Sequence, residues 1–167
     1  KKAGVLDHTF KLHAADAAFA GAVDAALLYK ESAAKAGIKV DVVREPDDGY
    51  WSNVWRKKAF SMCYWQGRAT CDWMFSVEYA ADTSWNDMNW KNKRFNELLV
   101  QARSELDEKK RAEMYREMQS IVRDDSGNII PMIAHMITAA SKKLAFKNYA
   151  TSNDLDGNRL SERWWFA

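Results

Sequence analysis

A chain of 167 residues, 47% hydrophobic and 29% charged, can fold around its own core, which excludes an intrinsically disordered segment. Its 25 basic and 23 acidic side chains leave a formal charge of +2, too small to select DNA, RNA or an anionic membrane as partner. No apolar run is long enough to cross a bilayer, since the longest candidate, Ala14 to Tyr29, is broken by Asp16, Gly21 and Asp24.

In chain order, Lys1-Lys2-Ala3-Gly4 reads as the last turn of a helix with its glycine stop, which is expected of a chain cut from a longer protein. No secretory leader is visible. Thr9 to Ala14 alternates Phe10, Leu12 and Ala14 with Lys11 and His13, the period of a strand. Asp16 can cap a helix over Ala17 to Ala36 whose apolar face is Phe19, Val23, Ala26, Leu27 and Ala33 or Ala34, and Gly37 ends it. Ile38, Val40 and Val42 mark a second strand. Pro46-Asp47-Asp48-Gly49 is a turn, built from a fixed φ, Asx capping and a glycine.

A helix over Tyr50 to Lys58 follows, with Trp51, Val54 and Trp55 on one face. Phe60 to Trp65 reads as a short buried strand broken by Gly67, and Asp72 to Ala81 as a helix. Ala81 to Trp90 is irregular. Asn92 caps a helix with the face Phe95, Leu98, Leu99, Ala102 and Leu106. Asp107 caps another, carried by Met114, Met118, Ile121 and Val122 and stopped by Gly127. Ile129 to Ile133 reads as a short strand, placed at an edge or bulge by Pro131 and continued over Met136 to Ala140. The tail from Asn148 to Ala167 is rich in turns. Helices set between strands require crossovers, so the expected fold is α/β, with a mixed and partly parallel sheet flanked by helices.

A catalytic site does not assemble from these elements. His8, His13 and His135 lie at no ligand-like spacing, and no nucleophile elbow, phosphate-cradling glycine loop or zinc-protease motif occurs. Cys63 and Cys71 match no zinc pattern; they could close a short disulfide, and two free, partly buried thiols are expected. The acid pairs Asp47-Asp48 and Asp124-Asp125 sit at turns, where capping explains them. The expectation is therefore a chain that is not an enzyme and has no cofactor or metal.

Aromatic residues point elsewhere. Eight Trp occur, at 51, 55, 65, 73, 85, 90, 164 and 165. Most should fill core volume; some can line a cleft with the indole N–H available. The stretch Tyr64-Trp65-Gln66-Gly67-Arg68 leaves a strand through a glycine turn, and α/β folds place ligands at such edges. Arg68 offers a fork of donors to a carboxylate or, equally on sequence, to a neighbouring surface acid. The helix start after it favours an anion as well. Asp72 is expected as that helix's N-cap. Trp73, Trp85 and Asn86 complete the candidate set of Tyr64, Trp65, Gln66, Gly67, Arg68, Asp72, Trp73, Trp85 and Asn86.

The run RFNELLVQARSELDEKKRAEMYREMQSIVRDDSGNIIPM, preceded in order by KKAG, AAKAGIKVDVV and FSMCYWQGR, resembles the extracytoplasmic solute-binding proteins of the peptide/nickel (family 5) ABC importer type over nearly the whole chain. GRATCDWMF and RWWFA look like one branch of that family. The resemblance implies one C-terminal lobe of a bilobal, periplasmic-binding-protein-like fold (type II, cluster C), closing on its ligand like a hinge. Residues 1–147 would form the ligand-binding lobe, and 148–167 a tail returning toward the missing N-terminal lobe.

It also implies the solute-binding component of an ABC importer for a peptide, an opine or another small polar solute. Its partners would be that ligand and a membrane permease, without nucleic acid, in the periplasm or another extracytoplasmic space. In peptide-binding members an Asp past this turn's Trp and Gly holds the peptide's amino terminus. Arg68 stands at the corresponding position, so an anionic part of the ligand is expected there, with Trp65 and Trp85 stacking. The ligand-sensing domain of a transcription regulator is the alternative, and an enzyme fragment with its catalytic residues elsewhere is a third.

Overall fold

A computed structural model describes Gly4 and residues 7–135, 137–150 and 153–167. The helix end expected at Lys1 to Ala3 and the Met136 part of the expected strand lie outside the described residues. The chain forms two compact units, Lys1–Trp65 and Gln66–Ala167.

The first unit is a β-α-β arrangement. Strand β1 (Thr9–Ala14) pairs in parallel with β2 (Lys39–Arg44), Thr9 opposite Lys39 and Ala14 opposite Arg44. Parallel neighbours need a crossover, which α1 (Ala22–Lys35) supplies. Leu12 and Ala14 of β1, Val40 of β2, and Ala26 and Ala33 of α1 form the buried cluster between sheet and helix. The helix starts later than its apolar pattern suggests. Residues 16–20 make turns, Gly21 enters the helix at φ 81°, and Asp16 reaches forward to accept the Val23 N–H (3.4 Å). Leu27, expected in the core, is exposed; alanines fill the contact, because small side chains let the helix lie close on the sheet. Gly37 ends α1 at φ 75°, its N–H on Ala34 O and the Ile38 N–H on Ala33 O, a Schellman closure that favours glycine.

Helix α2 (Tyr50–Asn53) is a single turn, shorter than expected, and Arg56 takes a positive φ of 59° just beyond it. Tyr50 and Val54 are buried with Ala15, Ala18 and Ala22, whereas Trp51 lies exposed, edge-on to Tyr50, Trp55 and Tyr64. The Tyr50 hydroxyl, shared between Met62 O (2.6 Å) and His13 O (3.2 Å), ties the 60–65 segment to β1. That segment corrects the expectation of a buried strand. Only Ser61 bridges β1, opposite His13, with His13 N–H on Phe60 O and Met62 N–H on His13 O; residues 62–68 are irregular and Tyr64 is exposed.

The second unit is built on a helical hairpin. Helices α3 (Cys71–Met74), α4 (Lys93–Ser104) and α5 (Glu108–Asp125) contribute, and α3 runs directly into a π turn, Phe75–Tyr79. Asn92 Oδ1 accepts the Phe95 N–H (2.9 Å), and Asp107 Oδ1 accepts the Lys109 (2.9 Å) and Lys110 (3.1 Å) N–H groups, the caps read from sequence. Phe75, Tyr79, Phe95, Leu98, Leu99, Ala102 and Met118 form the core. Each large apolar side chain in it is worth about 2 kcal/mol of burial. Leu106, expected on that face, lies beyond the end of α4 and is exposed. Gly127 does not take the left-handed stop; α5 ends where Ser126 turns extended (ψ 162°).

Ile129 to Ile133 is not a strand. Pro131 removes a ladder donor, the run pairs with no strand among the described residues, and its large apolar side chains are exposed. Instead β3 (Leu144–Ala145) and β4 (Trp165–Phe166) form a short antiparallel pair that the sequence pattern did not reveal. Between them lie a left-handed turn, Asp154–Asn158, and one helical turn, Leu160–Arg163.

Candidate functional site

The sequence-predicted residues fall into both units. Tyr64 and Trp65 end the first, where Tyr64 packs edge-on against Trp51 (5.7 Å between ring centres). The second unit brings four of the others together. Gln66, Arg68, Trp73 and Trp85 line one open pocket of about 560 Å³, with Ser76, Val77, Thr83 and Ser84 from the π turn and the following loop, and Asn153 and Asn158 from the tail.

Local chemistry fixes each wall. Arg68 Nη1 donates to Gln66 O (2.8 Å) and Gly67 O (3.4 Å), and its guanidinium lies over the Trp73 ring, 5.5 Å from the centroid. Gly67 thus serves through its carbonyl. The π turn widens the helix so that Phe75, Glu78 and Tyr79 point into the core while Ser76 and Val77 line the pocket. Ser76 is oriented by donating to Asp72 O (2.5 Å) and by accepting from Arg103. Thr83 donates to Val77 O (2.9 Å) and accepts the Trp85 N–H (3.4 Å). Trp73 and Trp85 are each half exposed, so both indoles keep surface for a guest.

Three predicted residues of this unit, Gly67, Asp72 and Asn86, lie outside that lining. Thr70, not Asp72, caps α3: its hydroxyl accepts the Trp73 N–H (3.2 Å) from extended backbone at φ −137°. Asp72 instead takes a two-pronged bond from Arg103 (2.8 and 3.2 Å) and the Tyr115 hydroxyl (3.2 Å), binding α3 to the hairpin. Burial first, then the Asp72 charge, pushes the Tyr115 hydroxyl pKa upward. Asn86 is buried and its amide holds the 80–90 loop, donating to Ala80 O (3.3 Å) and Trp90 O (2.7 Å) and accepting the Trp90 N–H (3.2 Å).

Sequence reasoning missed Glu78, Asn128, Asn153 and Asn158. Glu78 is buried and accepts a hydrogen bond from the Asn128 amide, which also meets Tyr79 Oη (3.1 Å). Burial pushes the Glu78 carboxyl up to about 7, the Asp87 charge adds to that, and bonds from Asn128 and Tyr79 with the Arg68 charge oppose it. Burial likewise raises Tyr79 to about 12. No local sequence signal marks Glu78; in the structure it lies in the π turn and is buried. A second cavity, about 440 Å³, is lined by Phe146, Tyr149, Trp164 and neighbours, with no charged side chain among the described lining residues.

Cys63 is partly buried and Cys71 exposed, with the Gln119 amide 3.6 Å from the Cys71 sulfur; neither is in a disulfide. Among the described residues, no group of three or more His, Cys, Asp or Glu could hold a metal ion, and no helix is long and apolar enough to cross a membrane.

No family model matches the chain, and no curated protein does. Solved structures do. The oligopeptide-binding protein AppA of Bacillus subtilis, in complex with a nonapeptide, matches 95% of this chain at 18% identity with a TM-score of 0.59. The ABC transporter substrate-binding protein CtaP of Listeria monocytogenes matches 70% at 20% identity, TM-score 0.57. The chain has the fold of part of a periplasmic-binding-protein-like molecule. NikZ of Campylobacter jejuni, in complex with Ni(L-His), matches 68% of this chain, also at 20% identity and a TM-score of 0.57. The chain spans 31%, 24% and 24% of AppA, CtaP and NikZ.

Proposed function

We propose that this chain supplies one lobe of the solute-binding component of an ABC importer, and that it captures a small polar solute without transforming it. The observation that carries the reading is the gathering of Gln66, Arg68, Trp73 and Trp85 on one pocket, in a fold shared with substrate-binding proteins. Arg68 meets an anionic part of the solute, while Trp73 and Trp85 offer flat apolar faces. Gly67 lies next to Arg68 in the chain, and Tyr64 and Trp65 precede it in sequence. Residues 1–147 form the ligand-facing lobe and 148–167 lead back toward the other lobe. The partners are the solute and a membrane permease, in an extracytoplasmic setting.

A mass spectrum of whatever co-purifies with the intact protein identifies the solute. Arg68→Ala should then weaken its binding by roughly tenfold or more, the worth of a charge-assisted hydrogen bond. Unchanged affinity would remove the pocket from the argument. The isolated lobe should bind far more weakly than the intact protein, since half the contacts are lost while association entropy remains.

A further inference from the structure

We infer that the left-handed turn Asp154–Asn158 is the specificity element of this pocket, holding Asn153 and Asn158 against the hydroxyls of a ring-bearing hydroxylated carboxylate, such as a uronic acid. The inference rests on the pocket being the solute site.

The backbone is the first observation. Leu155 (φ 50°, ψ 48°), Asp156 (φ 59°, ψ 49°), Gly157 (φ 71°, ψ 30°) and Asn158 (φ 62°) are four consecutive residues at positive φ. Only glycine enters that region freely; asparagine and aspartate tolerate it, and leucine is strained in it. Such strain persists only where surroundings over-determine the conformation. Here Asp156 does so. It is fully buried, accepts the Ala150 N–H (2.5 Å) and the Trp164 indole N–H (3.1 Å), and pairs with Arg163 (3.2 Å). Arg163 in turn donates to Asn148 O (2.9 Å). Fixing this turn fixes its last residue, Asn158, and the residue before it, Asn153, and both line the pocket.

The second observation is the lining chemistry. Among the described lining residues there is one cation, Arg68, and no acid. That composition favours a carboxylate and disfavours an ammonium group, which would lie near Arg68 with no acid at the wall to meet it. The other polar groups are amides and hydroxyls, which both donate and accept. Their natural complement is a hydroxyl, which does the same. Two half-exposed indoles suit the C–H face of a ring rather than an extended backbone. A peptide would present an ammonium and a row of amides; a sugar acid presents a carboxylate, hydroxyls and one apolar face.

The experiment is calorimetric titration of the intact protein with D-glucuronate, D-glucose and alanyl-alanine. Glucuronate should bind, and glucose should bind roughly tenfold or more weakly for want of the charge. Alanyl-alanine should be weaker than glucuronate. Asn158→Gly keeps the positive φ and removes the amide; Asn153→Ala removes the other. Each should lower glucuronate affinity roughly five- to thirtyfold, one hydrogen bond's worth, at an unchanged thermal midpoint. Leu155→Gly relieves the strain, so it should hold or raise the midpoint while loosening the turn and lowering affinity severalfold, an effect a merely structural turn would not show. Arg68-dependent binding of alanyl-alanine, indifferent to both asparagines, would overturn this inference and leave the pocket standing. Binding of none of the three probes would overturn it too. Binding that ignores Arg68→Ala would overturn the pocket reading itself.

Discussion

Glu78→Gln isolates the energetic cost of a buried carboxyl. Glu78 is 2% exposed, and burial raises its pKa from the ordinary 4.5 to about 7. Between those values the folded chain keeps a proton that the unfolded chain releases. Stability is therefore full below pH 4.5, falls as pH rises through about 7, and levels off above. That interval, at about 1.4 kcal/mol per pH unit, corresponds to roughly 3 kcal/mol. Glutamine keeps an oxygen for the Asn128 amide and cannot ionise, so it should abolish the loss. Urea unfolding of the intact protein between pH 4.5 and 8.5 reads this directly. The parent should lose roughly 3 kcal/mol across the range relative to Glu78→Gln, with the two converging at the acid end. Parallel curves for the two proteins would refute the reasoning, because the buried carboxyl would then contribute nothing to the slope.

Substitutions at four further positions probe the scaffold by chemical denaturation. Phe95→Ala empties the centre of the hairpin core, where Phe75 (5.2 Å) and Trp90 (5.1 Å) meet its ring, and should cost about 3–5 kcal/mol; a loss under 1 would contradict that placement. Asp107→Ala leaves the Lys109 and Lys110 N–H groups uncapped and should cost about 1 kcal/mol, with Asp107→Asn recovering most of it. Tyr50→Phe strips the donor shared by Met62 O and His13 O and should cost about 1–3 kcal/mol. By contrast, Arg94→Ala breaks a solvent-exposed pair with Glu117 and should leave the denaturation midpoint nearly unchanged; a clear loss would show the pair to be more than a screened surface contact.

The sequence by itself determined the parts governed by near neighbours. Strand β1 follows from alternation, the ends of α4 and α5 from Asn92 and Asp107, and the end of α1 from Gly37, because each device acts within a few residues. It also drew attention to Gln66, Arg68, Trp73 and Trp85 as candidate ligand contacts. Only the tertiary structure decided the rest. Whether Ile129 to Ile133 is a strand depends on a partner that apolar character cannot specify. Whether Asp72 caps a helix or binds Arg103 depends on how α3 meets the hairpin, 31 residues away in the chain. Glu78 is a buried acid in a π turn, and Asn153, just before the left-handed turn that contains Asp156, and Asn158, its last residue, line the same pocket as Arg68. Pockets are made by residues distant in sequence, and local pattern carries no information about which distant residues will meet.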